Sequence, residues 1–326
     1  MNCLQISVCE PDAGADVAGF LCARLIRESK TRIRRLVATG EVTVNGRAVS
    51  TSHRLKVGDL ICLPGGVDAG PPPPSEMDVE VIYEDGEHLA VNKPAGWPVV
   101  PGRGGRDAEF FRALVALLNR DAPAGGPYVR PHVVHRLDRE TTGVLLVAKD
   151  EPAGRALSMQ FQHRQVQKTY LAVAEGVLPR AEVTVDAPVR RLGASEVRMV
   201  CDERGGKPAS TRLHLKEAFG HFCLLEARPL TGRQHQIRLH MAALGYPLAA
   251  DSLYGRRSIL TGAEFNAILG RRALGEREVL IERCPLHALS LSYRLPGSGE
   301  PATQVAPVPA DMERLLDLLR RLDPAR

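Results

Sequence analysis

The chain has 326 residues, 44% of them hydrophobic, and a formal net charge of +5. That composition excludes wholesale disorder, and the length suffices for one large domain or two unequal ones. No apolar run approaches the roughly 18–20 residues of a membrane span, and Met1-Asn2-Cys3-Leu4-Gln5 lacks the basic-then-apolar start of a secretory signal, so a cytoplasmic protein without a membrane partner is expected.

Seven scattered cysteines with no C-x-x-C pair argue against a disulfide framework or a zinc knuckle. In chain order, Val17, Phe20, Leu21 and Leu25 recur at helical spacing, as do Ile33, Leu36 and Val37. Ser29 is placed to cap the second helix and Gly40 to end it. In "EVTVNGRAV" (41–49) Asn45-Gly46 accepts the positive φ angles of a tight hairpin. Leu55, Val57, Leu60 and Ile61 supply a further strand. The helices carry Arg24, Arg27, Lys30, Arg32, Arg34 and Arg35 with Glu28 as the single acid among them. Such cations cannot be neutralised by i,i+4 pairs alone, so the face is expected to stay positive and to suit a phosphate backbone.

This stretch resembles the S-four RNA-binding domain: "SKTRIRRLVATGEVTVNGRAV…LKVGDLI" follows its order of basic helix, glycine, hairpin and Gly-Asp strand over about 14–64. The chain departs from the family at Ala15-Asp16-Val17, where an Arg-Leu-Asp opening is usual. The next segment, "GGVDAGPPPPSEM" (65–77), has four consecutive prolines and reads as a stiff linker. The expected division is therefore a small RNA-binding domain over 1–64, a linker over 65–77 and a large domain over 78–326.

Beyond the linker, strands are expected at 78–84, 88–92, 143–149, 168–175, 181–190, 196–201, 209–217, 221–228 and 286–294. Helices are expected at 107–119, 151–165, 233–244 and 309–322. Short turns between neighbouring strands favour antiparallel pairing, so the class is α+β with a mixed, mainly antiparallel sheet flanked by helices.

Four stretches carry polar groups that packing alone does not call for: "VNKPAGWPVVPG" (91–102), "HVVHRLDRETTGVLLVAKD" (132–150), "KTYLAV" (168–173) and "RPLTGRQHQIRLHMAALGYPLAADSLYG" (228–255). In the last, Thr231 and Gln234 have capping-box spacing ahead of a buried stripe of Ile237, Met241 and Leu244. Arg238 flanks that stripe, with a guanidinium suited to clamp a carboxylate bidentately. Asp138 stands between Arg136 and Arg139. A turn aspartate capping an amide is the ordinary reading. Two adjacent arginines and a clamping arginine favour the ionised carboxylate, which is fit for nucleophilic attack rather than acid catalysis. Neither His132-x-x-His135 with Asp138 nor His235 with His240 has metal-binding spacing, and the nearby arginines oppose a divalent cation, so no metal is expected. "GRGGR" (102–106) lacks the Lys-Ser/Thr of a nucleotide loop and reads as a loop near RNA.

Together the four stretches resemble the RluA-type pseudouridine synthases over about 78–296, with "HRLDRETTGVLLVAK" and "TGRQHQIRLHMAALGYPLAADSLYG" as the specific motifs. The resemblance implies a catalytic Asp138 with Arg238 as its ion-pair partner. Tyr170 is implied to lie against the uracil ring and to assist proton removal, and Arg136 to fill the space a flipped nucleotide leaves. RNA contacts are expected from Arg24, Arg27, Lys30, Arg32, Arg35, Asn45, Lys93, Arg136, Arg233 and Gln236. The implied reaction breaks the bond from uracil N1 to the sugar, turns the base and rejoins it through carbon 5. It needs no cofactor. The attack falls on carbon 6 or on the anomeric carbon, and the target is structured RNA, large-subunit ribosomal RNA before transfer RNA. A monomer is the default. The competing readings are a non-catalytic RNA-binding or ribosome-assembly protein and a metal-dependent RNA hydrolase.

Overall fold

The computed structural model describes residues 4–100, 108–123, 127–193, 196 and 198–325. The "GRGGR" stretch and the first residue of the expected helix 107–119 lie outside them. The chain forms two compact units, Met1–Asp78 with Glu109–His132 and Val79–Ala108 with Val133–Arg326.

In the small unit, β1 (Leu4–Ser7), α1 (Val17–Arg24), α2 (Lys30–Ala38), β2 (Thr43–Val44), β3 (Arg47–Ala48) and β4 (Leu60–Leu63) follow in order. The strands make an antiparallel sheet, β1-β4-β2-β3. Asp16 caps α1 by accepting from the Gly19 amide, which gives the departure Ala15-Asp16-Val17 a local purpose. Ser29 caps α2 through the Arg32 amide, and Asn45 (φ 49°) and Gly46 (φ 76°) form the predicted hairpin turn. Val17, Phe20, Leu21, Leu25, Ile33, Leu36 and Val37 meet in one core.

The unit also takes in α3 (Glu109–Leu118), which the sequence assigned to the large domain. Val115 packs with Ile26 and Tyr128, and the Tyr128 amide donates to Ala23 O. Arg130 donates to the Leu25 carbonyl at 2.9 Å, a cation at the C-terminal end of α1 where helix carbonyls lack partners. The boundary at the prolines is thus only one of those separating the units.

The large unit holds β5 (Val81–Glu84), β6 (His88–Lys93), the end of β7 (His132–Val133), β8 (Thr142–Ala148), α4 (Glu151–Gln162), β9 (Gln167–Glu175), β10 (Glu182–Asp186), β11 (Val189–Arg191), β12 (Met199–Cys201), β13 (Ser210–Ala218) and β14 (Phe222–Pro229). It continues through α5 (Gln236–Ala243), β15 (Leu260–Thr261), α6 (Gly262–Leu269), β16 (Val279–Ile281), β17 (Leu286–Arg294), β18 (Pro301–Val305) and α7 (Ala310–Leu322). Its main sheet runs β10-β13-β14-β9-β17-β8-β6-β5, with β18 paired to β17. The β17–β8 contact is parallel and the other pairings along that path are antiparallel, so the sheet is mixed as expected. The strand expected over 181–190 divides at Pro188, which cannot donate to a ladder; β10 joins the main sheet while β11 pairs with β12.

One glycine fixes the start of the buried strand β8. Gly143 has φ +112°, and a Cβ there would lie 2.2 Å from Ala288 O. Only glycine lets β8 begin this close to β17. The side chains of β8 are then buried along its whole length, which anchors the charged loop ahead of it.

Candidate active site

Residues 135–141 form that loop, and backbone bonds pin it. The Thr141 amide donates to Asp138 O at 3.1 Å, and the Gly96 amide to Arg139 O at 3.0 Å. Lys93 is fully buried at the end of β6 and donates to Pro94 O and Arg139 O at 2.6 and 3.1 Å. Burial lowers its pKa to about 7, against the pull of Glu140 and Asp138. Arg283 grips Asp311 with two nitrogens, at 2.6 and 2.8 Å, and donates to Glu140 O at 3.2 Å. His135 accepts from the Leu146 amide at 2.9 Å and stacks on Phe161. Burial, then Lys168, lowers its pKa to about 3, so it is neutral and structural.

Asp138 opens onto a cleft of roughly 550 Å³, with Arg136, Arg164, Lys168, Tyr170 and Arg233 among its walls. Asp138 is the only carboxylate among the described lining residues. Cations outnumber it, a field suited to a polyanion. Arg238 enters from α5 and is 5% exposed. Its Nε and Nη2 hold Asp251 at 2.8 and 2.7 Å, while Nη1 stands 3.7 Å from Asp138 Oδ2. The bidentate clamp expected on Asp138 therefore falls on Asp251, with Asp138 as the second, looser partner. Asp251 also accepts from the Leu253 and Tyr254 amides. Its pKa is lowered because these bonds and the arginine outweigh burial, the largest opposing influence. The consequence is chemical. Arg238 stays protonated and near Asp138 without tying up its oxygens in short hydrogen bonds.

Tyr170 reaches the cleft from β9. Burial, then the charge of Asp138, pushes its phenol well above the ordinary tyrosine range. The resting phenol keeps its proton, which favours a ring platform and hydrogen-bond donor over a phenolate base. Lys168, two residues earlier, donates to Thr231 O at 3.0 Å, and burial followed by Arg164 lowers its pKa to about 8.

The expected capping box is replaced by another bond set. Thr231 Oγ1 and the Arg233 amide both donate to Gln236 Oε1, at 2.6 and 3.0 Å, and α5 starts at Gln236 rather than 233. Gln236 Nε2 donates to Ser210 O and Thr211 Oγ1, both at 2.9 Å. Buried and engaged at both ends of its amide, Gln236 braces the loop at the cleft wall. Lys93, also expected to touch RNA, is fully buried. Arg233 remains at the cleft wall, its Nε donating to Pro208 O, and Arg136 is exposed at the same cleft. The histidines weighed as metal ligands are occupied elsewhere: His240 bonds Thr211 Oγ1 and Ala187 O, and His235 bonds Tyr254.

In the small unit the cations are less free than their spacing suggested. Arg24 pairs with Asp12 at 2.6 Å, Arg27 with Asp68 at 3.3 Å and Arg32 with Glu28 at 3.0 Å. Asp12 and Asp68 are distant in sequence, beyond the reach of an i,i+4 count. Lys30 Nζ lies 3.3 Å from His132 Nε2. The Asn45 amide is spent on Asp59 and the Leu60 amide. Arg34 and Arg35 are exposed and, among the described residues, make no ion pair. They are joined among the exposed cations of this unit by Arg47 on β3, Arg54 and Lys56.

Asp251, Tyr254 and His235 escaped the sequence reading as site residues. "AADSLYG" held the signal, an acid and a phenol close after the arginine helix, but chain distance gave no reason to join them to Asp138.

Among the described lining residues a single carboxylate stands beside a clamped arginine in a cation-walled cleft of a mixed-sheet unit, an arrangement suited to an enzyme of an anionic polymer. Residues 87–243 match the RNA pseudouridylate synthase family and residues 20–61 match the S-four domain. The chain is 34% identical to the uncharacterized RNA pseudouridine synthase YlyB of Bacillus subtilis, over 98% of this chain and 99% of that one. It is 34% identical to ribosomal large subunit pseudouridine synthase C of Vibrio parahaemolyticus, over 97% and 96%. Among solved structures, human RNA pseudouridylate synthase domain containing 4 superposes with a TM-score of 0.59 at 26% identity, covering 74% of this chain and 93% of that one. The chain belongs to the RNA pseudouridine synthase family, isomerases that convert uridine to pseudouridine in RNA. Among the described residues no helix is long and apolar enough to cross a membrane.

Proposed function

We propose that the protein isomerises uridines of large-subunit ribosomal RNA in the cytoplasm, as a monomer, with Asp138 as the nucleophile. The ribosomal assignment draws on the names of its relatives, which include large subunit pseudouridine synthases C and D. The observation that carries the catalytic part is Asp138 alone among cations, 3.7 Å from an arginine already committed to Asp251.

A uridine inside a folded RNA must leave its stack to reach such a cleft, at a cost of a few kcal/mol. Arg136, exposed at the cleft, takes the space the base vacates, and Tyr170 supports the uracil ring. Asp138 attacks carbon 6 or the anomeric carbon, the bond from N1 to the sugar breaks and the base turns. The bond to Asp138 is broken again as the new carbon–carbon bond is made, which returns the free carboxylate. Carbon 5 then bonds the anomeric carbon, carbon 5 loses its proton, and N1 gains one. Nothing is oxidised and no group is lost, which is why side chains suffice. The small unit supplies sequence-independent affinity through its exposed arginines.

The test is Asp138→Asn assayed on ribosomal RNA from cells lacking the gene. Pseudouridine formation is expected to vanish while RNA binding stays within about twofold. Retained turnover would remove Asp138 from the role.

A further inference from the structure

His235 occupies an unusual place in this site. It is the residue before α5, with φ 55° in the left-handed region, and its side chain makes no helix cap. A left-handed non-glycine persists only where its surroundings hold it, and such positions gather at functional sites. Here the ring is held at one end and aimed at the other. Nδ1 lies 2.8 Å from the Tyr254 hydroxyl, and Nε2 points at Asp138 Oδ1, 3.9 Å away.

The hydrogen bonds of Tyr254 favour one tautomer. Tyr254 Oη accepts the Met199 amide at 2.8 Å. Its own proton then has one acceptor among the described residues, His235 Nδ1. Burial, with Arg238 and Arg136, lowers the imidazole pKa against the pull of Asp138 and Asp251, so the ring is neutral at neutral pH. A neutral ring that accepts at Nδ1 must carry its proton on Nε2.

Each oxygen of Asp138 therefore faces one donor, Oδ2 the guanidinium of Arg238 and Oδ1 the imidazole N–H of His235. Both stand beyond hydrogen-bond length. Such contacts are commonly long in a free enzyme and close in the substrate complex. We infer that His235 is a positioning residue for Asp138: Tyr254 holds its ring with the proton on Nε2, and that N–H fixes the carboxylate plane when RNA fills the cleft. The inference rests on the reading of Asp138 as nucleophile.

The experiment compares His235→Asn, His235→Gln and Tyr254→Phe with Asp138→Asn in single-turnover assays on ribosomal RNA. Asparagine tolerates the left-handed backbone and can keep the Tyr254 bond, but it places no donor near Asp138. Glutamine puts an amide N–H where Nε2 was, on a backbone it tolerates less well. A positioning role predicts a loss of about 10–100-fold in turnover for His235→Asn, partial rescue by His235→Gln, and unchanged RNA affinity in both. A purely structural role predicts the reverse order, and that order overturns the inference. Imidazole ¹⁵N shifts of the wild type should show a protonated Nε2 and a bare Nδ1, averaging toward a mixture in Tyr254→Phe. A wild-type ring protonated on Nδ1 overturns it as well. If Asp138→Asn is inert while His235→Asn is fully active, this inference alone fails; if Asp138→Asn is active, the nucleophile assignment fails with it.

Discussion

Arg238 grips Asp251 through two nitrogens, at 2.8 and 2.7 Å, and offers Asp138 only its third, at 3.7 Å. The division matters because a carboxylate in a short bidentate pair is a poor nucleophile, and one without a nearby cation is poorly oriented. Asp251 keeps Arg238 between these extremes.

Replacing Asp251 by asparagine leaves a buried guanidinium without its counter-charge. Breaking one side of a buried pair costs about 3–5 kcal/mol, so denaturant melts should show a loss of that order. Where the variant is still folded, Arg238 is free to close on Asp138, and turnover should fall at least tenfold with RNA affinity nearly unchanged. A stable, fully active Asp251→Asn would detach Asp251 from this role.

Gly143 makes a sharper structural prediction. Alanine there meets Ala288 O at 2.2 Å and carries φ +112°. Overpacking and backbone strain together should cost about 3 kcal/mol or more. Because the strand start holds the loop of Asp138, activity should fall further than stability alone explains. Measuring both at a temperature well below the melt separates the two effects.

Lys93 ties loop stability to pH. Its pKa is about 7 in the folded protein against an ordinary value of 10.5. Between those values the unfolded chain holds a proton that the folded chain has released. Stability contributed by this group therefore rises with pH from about 7 to about 10 and is absent below 7. Unfolding free energies across that range should climb, and the climb should flatten in Lys93→Met. Lys168, lowered to about 8, leaves part of the slope in place.

For RNA affinity, Arg34 and Arg35 should outweigh their neighbours. They are exposed, whereas Arg24, Arg27 and Arg32 are paired with Asp12, Asp68 and Glu28. The double change Arg34→Ala, Arg35→Ala should weaken binding and shrink the salt slope by roughly 2, about one per phosphate contact. Equal effects from Arg24→Ala, after allowing for its loss of stability, would count against the exposed pair.

Local chemistry was legible in the sequence and long-range chemistry was not. Ser29, Asn45-Gly46 and the apolar spacing of the first two helices act within a few residues, and each lies where its pattern placed it. Asp138, Tyr170, Arg136 and Arg238 carry the family motifs, and the fold brings the first three to one cleft with Arg238 beside Asp138. Asp251 as the true clamp partner, Gln236 as a loop brace and the pairing of Arg24 with Asp12 depend on contacts made only after folding. The helix over 261–269 is different. Its capping box, Thr261 with Glu264, and its short stripe of Phe265, Ile268 and Leu269 both stood in the sequence, but at eight residues the helix is too brief for periodicity to mark it out.

The split composition of the small unit has an evolutionary consequence. Since Glu109–His132 folds with Met1–Asp78, a single crossover at the prolines would transfer α1 without the residues that cover Ile26 and receive its final carbonyls. A new N-terminal module acquired by recombination would inherit Val115, Tyr128 and Arg130 as a ready-made socket, and would have to present a matching helix end. The two segments of the small unit thus depend on each other, and a change at one end of that contact calls for a matching change at the other.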